Sequence, residues 1–230
     1  MLGPFDFAVW LIGFLAEVFV VAWAVRDRTL LRHPTLLLYV LALAIDELLS
    51  FTILRRYGFS SNEYLYYYYY SDAILTLLMF VAIAGLCSHI FREQGRSDRV
   101  RALTMVILGL IVLYAGAVTA VKHQLLATRF AVEFSGSLYF AGMILTYGVW
   151  ILLLKRRDPR LRLVLVVSAF GIYFGGQTVI YALRSIYPTL EVLHYLPAVM
   201  GAWLPVSLAY SVSRVSEEAR IPLEQLAGVW

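Results

Sequence analysis

The chain has 230 residues, 61% of them hydrophobic and 15% charged, with a mean hydropathy of +0.77. A soluble domain is about half apolar, with about a quarter of its residues charged, so this composition excludes an ordinary soluble fold and defines a polytopic membrane protein. The net charge of +4 does not point to nucleic acid, because the basic residues sit in short segments between apolar runs, where they act as topology signals.

Seven spans follow from length and from charged or proline boundaries. The N-terminus, Met-Leu-Gly-Pro-Phe-Asp, lacks the basic region of a cleavable signal. The first span, Phe5–Val25, is therefore expected to stay as a helix, ended by Arg26, Asp27 and Arg28. The second is Pro34–Leu54, with a proline in the first turn, where its missing N–H costs nothing, and Arg55 and Arg56 after it. The third, Tyr66–Phe91, opens with five consecutive tyrosines, Tyr66 to Tyr70. Ala102–Val121, Phe130–Leu154, Leu161–Leu183 and Leu193–Val212 complete the set. No loop is long enough to fold alone, so residues 1–212 read as one all-α domain, a seven-helix transmembrane bundle, and residues 213–230 as a short polar tail. The lone Cys87 permits no intrachain disulfide.

Orientation follows from lysine and arginine. The first, third and fifth loops hold twelve: Arg26, Arg28, Arg32, Arg92, Arg96, Arg99, Arg101, Lys155, Arg156, Arg157, Arg160 and Arg162. The other loops hold five: Arg55, Arg56, Lys122, Arg129 and Arg184. Cytoplasmic loops are richer in positive charge, which predicts the N-terminus outside and the tail inside. Spans two and six both follow an X-Pro pair, His33-Pro34 and Asp158-Pro159. Spans three and seven are preceded by Glu63-Tyr64-Leu65 and Glu191-Val192-Leu193. This similarity outlines a parallel 3+1+3 repeat.

Ionisable groups at membrane depth are costly and mark function or tight internal pairing. Among the acids inside the spans are Glu17, Asp46, Glu47 and Asp72. Asp46 shares its helix face with Ser50, and Asp72 with Tyr68, Tyr69 and Thr76, whereas Glu17 has only Gly13, Phe14 and Val21 and needs a partner from another helix. The functional alternative is a carboxylate cluster that holds a cation or relays protons; the structural one is a set of hydrogen-bonded acids that fixes helix packing. The tyrosine run divides in the same way, into an interfacial aromatic belt or a vestibule above Asp72 suited to a cationic or aromatic ligand. In span six, Gly171-x-x-x-Gly175 predicts close helix approach, and Gln177 a hydrogen bond across the bundle. Pro197, Gly201 and Pro205 weaken span seven, and breaks of this kind can expose carbonyls to a ligand. The histidines His33, His89, His123 and His194 show no metal-ligand spacing, and Gly136-Ser137 lacks the second glycine of a nucleophile elbow.

Tyr70-Ser-Asp-Ala-Ile-Leu-Thr76 resembles the third helix of microbial rhodopsins. Those proteins bind retinal through a lysine in helix seven, and here the only lysines, Lys122 and Lys155, lie in loops, so a covalent retinal protein is excluded. The sugar-exporting seven-helix family shares the 3+1+3 plan and orientation, but its proline–glutamine motif is absent. His33-Pro-Thr-Leu-Leu-Leu-Tyr39, together with the aromatic run ending Tyr70-Ser-Asp72 before His89-Ile-Phe-Arg92, resembles a group of bacterial seven-helix proteins without an established activity. That resemblance implies the fold and no chemistry.

The reading that results is a non-enzymatic protein of the bacterial cytoplasmic membrane. It is expected to handle a small solute or ion in a transporter- or channel-like way, through a polar core of Asp46, Asp72, Thr76 and Gln177. Tyr68, Tyr69 and Glu17 are further binding candidates. The alternative is a sensory receptor or an accessory subunit of a larger complex, signalling through cytoplasmic loops. Expected partners are membrane lipid, the solute or ion, and another protein or a second copy; no cofactor, metal or nucleic acid is expected.

Overall fold

A computed structural model describes residues 4–27, 33–58, 61–92, 106, 109, 128–154, 160–187, 192–216 and 219–220. These residues form six long helices: α1 Pro4–Asp27, α2 Pro34–Tyr57, α3 Asn62–Arg92, α4 Thr128–Leu154, α5 Leu161–Ile186 and α6 Val192–Arg214. All six are long and apolar enough to cross a membrane. They correspond to six of the seven predicted spans; the other, Ala102–Val121, lies outside the described residues apart from positions 106 and 109.

The helix ends follow from local chemistry. Pro34 stands at the first turn of α2, and Gly58 ends that helix with φ +84°, its N–H donating to the Leu54 carbonyl at 2.9 Å. That φ is in the region only glycine enters freely. α3 starts four residues before the predicted span. Ser61 caps it, its Oγ accepting from the Tyr64 N–H at 3.1 Å, and Glu63 in the first turn complements the helix dipole. The whole tyrosine run is thereby helical.

The chain packs as two compact units. One contains α2, α3 and α4 as far as Ala141. Here α2 and α3 form an antiparallel hairpin whose close approach is set by Gly85: a Cβ on it would stand 2.9 Å from the Thr35 Cβ. α3 buries Thr76, Met79, Phe80 and Ile83, while α2 leaves Leu38, Leu41, Ile45, Leu48 and Leu49 exposed. Exposed leucine and isoleucine on a helix of this length are what a lipid environment accepts.

The other unit contains α1, α4 from Gly142, α5 and α6. α1 turns Glu17, Val20 and Ala24 inward and leaves Phe7, Ile12, Leu15 and Val18 exposed. It packs on α6, where a Cβ on Gly13 would lie 3.3 Å from the Ala202 Cα. α5 and α6 form a second hairpin, held by an arginine at each end. Arg162 donates to the carbonyls of Ser211 and Val212, at 3.3 and 2.5 Å, capping two of the four carbonyls that the end of α6 leaves without helix donors. At the far end Arg184 donates to the Leu193 carbonyl at 3.0 Å. Leu193 is four residues before Pro197, which has no N–H to give it. Arg184→Ala is therefore expected to cost about 1 kcal/mol, and Pro197→Ala in the same background to recover it by restoring the backbone donor. Paired thermal melts in one detergent measure both.

One expectation about packing changes, that of Gly171 and Gly175. Gly171 and Gly175 face α4 at ordinary van der Waals distance, their would-be Cβ atoms 3.5 Å from Thr146 and 3.7 Å from Tyr147. The tight contact between these two helices is at Gly142 on α4, whose Cβ would stand 2.4 Å from the Phe174 ring.

Candidate functional site

The hairpin of α2 and α3 sets the level of the two central acids. Thr35 faces Gly85, so eleven residues further along α2, Asp46 stands level with residue 74 of the antiparallel helix. Asp72 is two residues from that level, about 3 Å along the axis. Asp46 is also near the middle of its helix, twelve residues after Pro34 and eleven before Tyr57.

Each of these carboxyl groups accepts from a phenol on a neighbouring helix. The Tyr67 hydroxyl on α3 donates to Asp46 Oδ1 at 2.6 Å, and the Ser71 side chain reaches the same carboxyl. Ser50, one turn from Asp46 on α2, interacts with the Tyr67 hydroxyl. The Tyr139 hydroxyl on α4 donates to Asp72 Oδ1 at 2.5 Å. Tyr139 is 1% exposed and Ser135, one turn before it, is 0% exposed. The Ser135 hydroxyl interacts with the Asp72 carboxyl without reaching hydrogen-bond geometry. Asp72 Oδ2 is buried and has no hydrogen-bond partner among the described residues. The two carboxyls are within electrostatic reach of each other, and Tyr64 is within reach of both Asp46 and Glu47. Three helices of one unit thus converge on an acid pair lined by hydroxyls.

Of the residues singled out in the sequence, Asp46 and Asp72 come together here. Thr76 is 1% exposed, but its hydroxyl donates to the Asp72 backbone carbonyl at 2.7 Å, so it serves its own helix. Tyr68 is exposed, with ring centroids 6.3 Å from Tyr64 and 5.5 Å from Tyr69. Tyr66 and Tyr70 are also exposed. The run is therefore a largely outward-facing belt with Tyr67 turned to Asp46. Gln177 and Glu17 belong to the other unit, where both are buried.

Sequence reasoning missed Tyr67, Tyr139, Ser71 and Ser135 as partners of the acids. Ser135 and Tyr139 did carry a signal. They are four residues apart, and so share one face of a largely apolar helix.

The helices and the buried polar cluster define the chain as a multi-pass α-helical membrane protein. Comparison with protein-family models, with curated proteins and with solved structures gave no match.

Proposed function

We propose that this protein handles a small solute or ion in a transporter- or channel-like way, and that Asp46 and Asp72 are the groups that engage it. The observation that carries this reading is that two carboxyls stand at one level inside apolar helices, each held by a phenol from a neighbouring helix. A purely structural polar contact in a membrane core is served more cheaply by a neutral pair, since an ionisable group there costs several kcal/mol. Two carboxyls at one depth are what exchange of positive charge requires. In this reading the bundle has seven helices, a 3+1+3 ancestry, the N-terminus outside and the tail inside, and it sits in a bacterial cytoplasmic membrane. Glu17 and Gln177 serve as polar contacts of the other unit, and Tyr64, Tyr68 and Tyr69 as the aromatic rim.

The test is reconstitution into liposomes with a pH-sensitive dye inside and imposed proton, sodium and potassium gradients in turn. Wild type is expected to dissipate at least one gradient. Asp72→Asn and Asp46→Asn should each slow that flux by more than about tenfold, equivalent to about 1.4 kcal/mol, while circular dichroism melts stay unchanged. Flux that is the same in both variants, or absent from folded wild type with every gradient, would refute the reading.

A further inference from the structure

The unused valences around Asp72 narrow the guest. Its Oδ1 already accepts from Tyr139, and its backbone carbonyl accepts from Thr76. What remains is Oδ2, buried and without a hydrogen-bond partner among the described residues, and a Ser135 hydroxyl, equally buried and equally without one, that interacts with the same carboxyl. A hard divalent cation takes about six to eight oxygen ligands; two open oxygens fall far short. Nor do any three His, Cys, Asp or Glu side chains converge among the described residues. A buried carboxyl oxygen that no donor reaches is satisfied most cheaply by carrying a proton itself, which also spares the apolar core a charge.

We propose that the guest exchanged at Asp72 is a proton, seated on Oδ2 and directed at Ser135 Oγ. This rests on the reading that the acid pair is the functional site, and it names what that site takes. The step is a proton transfer to water: the Oδ2–H bond breaks, water takes the H⁺, and the acid becomes a carboxylate. A serine hydroxyl both accepts and donates. Ser135 accepts from Oδ2–H in the loaded state, and its own O–H turns to donate to Oδ2 once the proton has left. Tyr139 donates to Oδ1 in both states, so the carboxyl keeps its position through the exchange. Among the described residues, the ionisable groups that face Asp72 are Asp46 from α2 and Tyr139 from α4. With the proton on Asp72, the other acid of the pair is Asp46, whose carboxyl accepts from the Tyr67 hydroxyl.

Infrared spectroscopy of the protein in lipid at neutral pH tests this directly. A protonated carboxyl has a C=O stretching band that an ionised one lacks, and the amide band reports whether each variant is folded. Wild type should show the carboxylic band. Asp72→Asn should remove it, Asp46→Asn should leave it, and Ser135→Ala should raise its frequency by removing the hydrogen bond from Oδ2–H. No band in folded wild type, a band that survives Asp72→Asn, or a frequency unmoved by Ser135→Ala overturns the proposal. The outcome is separable from the flux assay. A band assigned to Asp72 in a protein that moves no ion keeps the proton site and ends the transport reading, whereas flux abolished by Asp72→Asn with no such band does the reverse.

Discussion

Tyr139→Phe is expected to destabilise the protein by about 1–3 kcal/mol, the cost of leaving a buried acceptor without its donor. The hydroxyl removed is the one that donates to Asp72 Oδ1 at 2.5 Å, from a side chain only 1% exposed. Ser135 already interacts with the same carboxyl and does not replace the lost donor. Tyr67→Phe removes the corresponding hydroxyl from Asp46 and should cost less, since Tyr67 and Asp46 are only half-buried and the Ser71 side chain reaches that carboxyl too. Asp72→Asn should cost least of the three. Its amide oxygen still accepts from Tyr139 and its amide N–H groups are free to donate to Ser135, so the shape and both contacts survive while the ionisable group is lost. The order Tyr139→Phe, then Tyr67→Phe, then Asp72→Asn is read from thermal melts in one detergent. A large loss in Asp72→Asn combined with none in Tyr139→Phe would contradict it.

The second large effect lies in the other unit. Gly142→Ala should destabilise by about 1–3 kcal/mol, the range for overpacking a filled core. A methyl group there would sit 2.4 to 2.6 Å from three atoms of the Phe174 ring, and Phe174 is 0% exposed, with no room to swing aside. Phe174→Leu in the same background should recover much of the loss by removing the ring edge. Gly171→Ala and Gly175→Ala are the controls. Their new methyl groups would meet neighbours at 3.5 and 3.7 Å, so the only remaining effect is helix propensity, a gain of up to about 1 kcal/mol over glycine. Melting the four variants beside wild type checks the contrast. Destabilisation at Gly171 equal to that at Gly142 would restore the glycine pair as the contact that sets helix spacing.

That contrast shows where the sequence stops being informative. Helix spans were legible because length and flanking charge are local properties, and six of them lie within a few residues of their predicted limits. The importance of Asp46 and Asp72 was legible because a carboxyl inside an apolar run is costly wherever it points. Their partners were not. Five consecutive tyrosines cover the full circumference of a helix, so nothing in the run distinguishes Tyr67, which meets Asp46, from Tyr68, which is exposed. Tyr139 lies 67 residues beyond Asp72, and only the rotation and register of α4 against α3 bring the two together. The same holds for Gly142, whose tightness depends on the ring that α5 presents to it. A glycine motif marks where helices can approach; the facing side chain decides where they do.

The central claim is that Asp46 and Asp72 act as one site, and a double-mutant cycle on flux tests it most directly. Ion flux is measured in liposomes for wild type, Asp46→Asn, Asp72→Asn and the double variant, at matched protein density. Residues that act as a unit lose their function once, so effects at such a site are far from additive. The account predicts a double variant no slower than the slower single one. Losses in the two single variants that multiply in the double would contradict it, and would leave two separate acids that share a depth and nothing more.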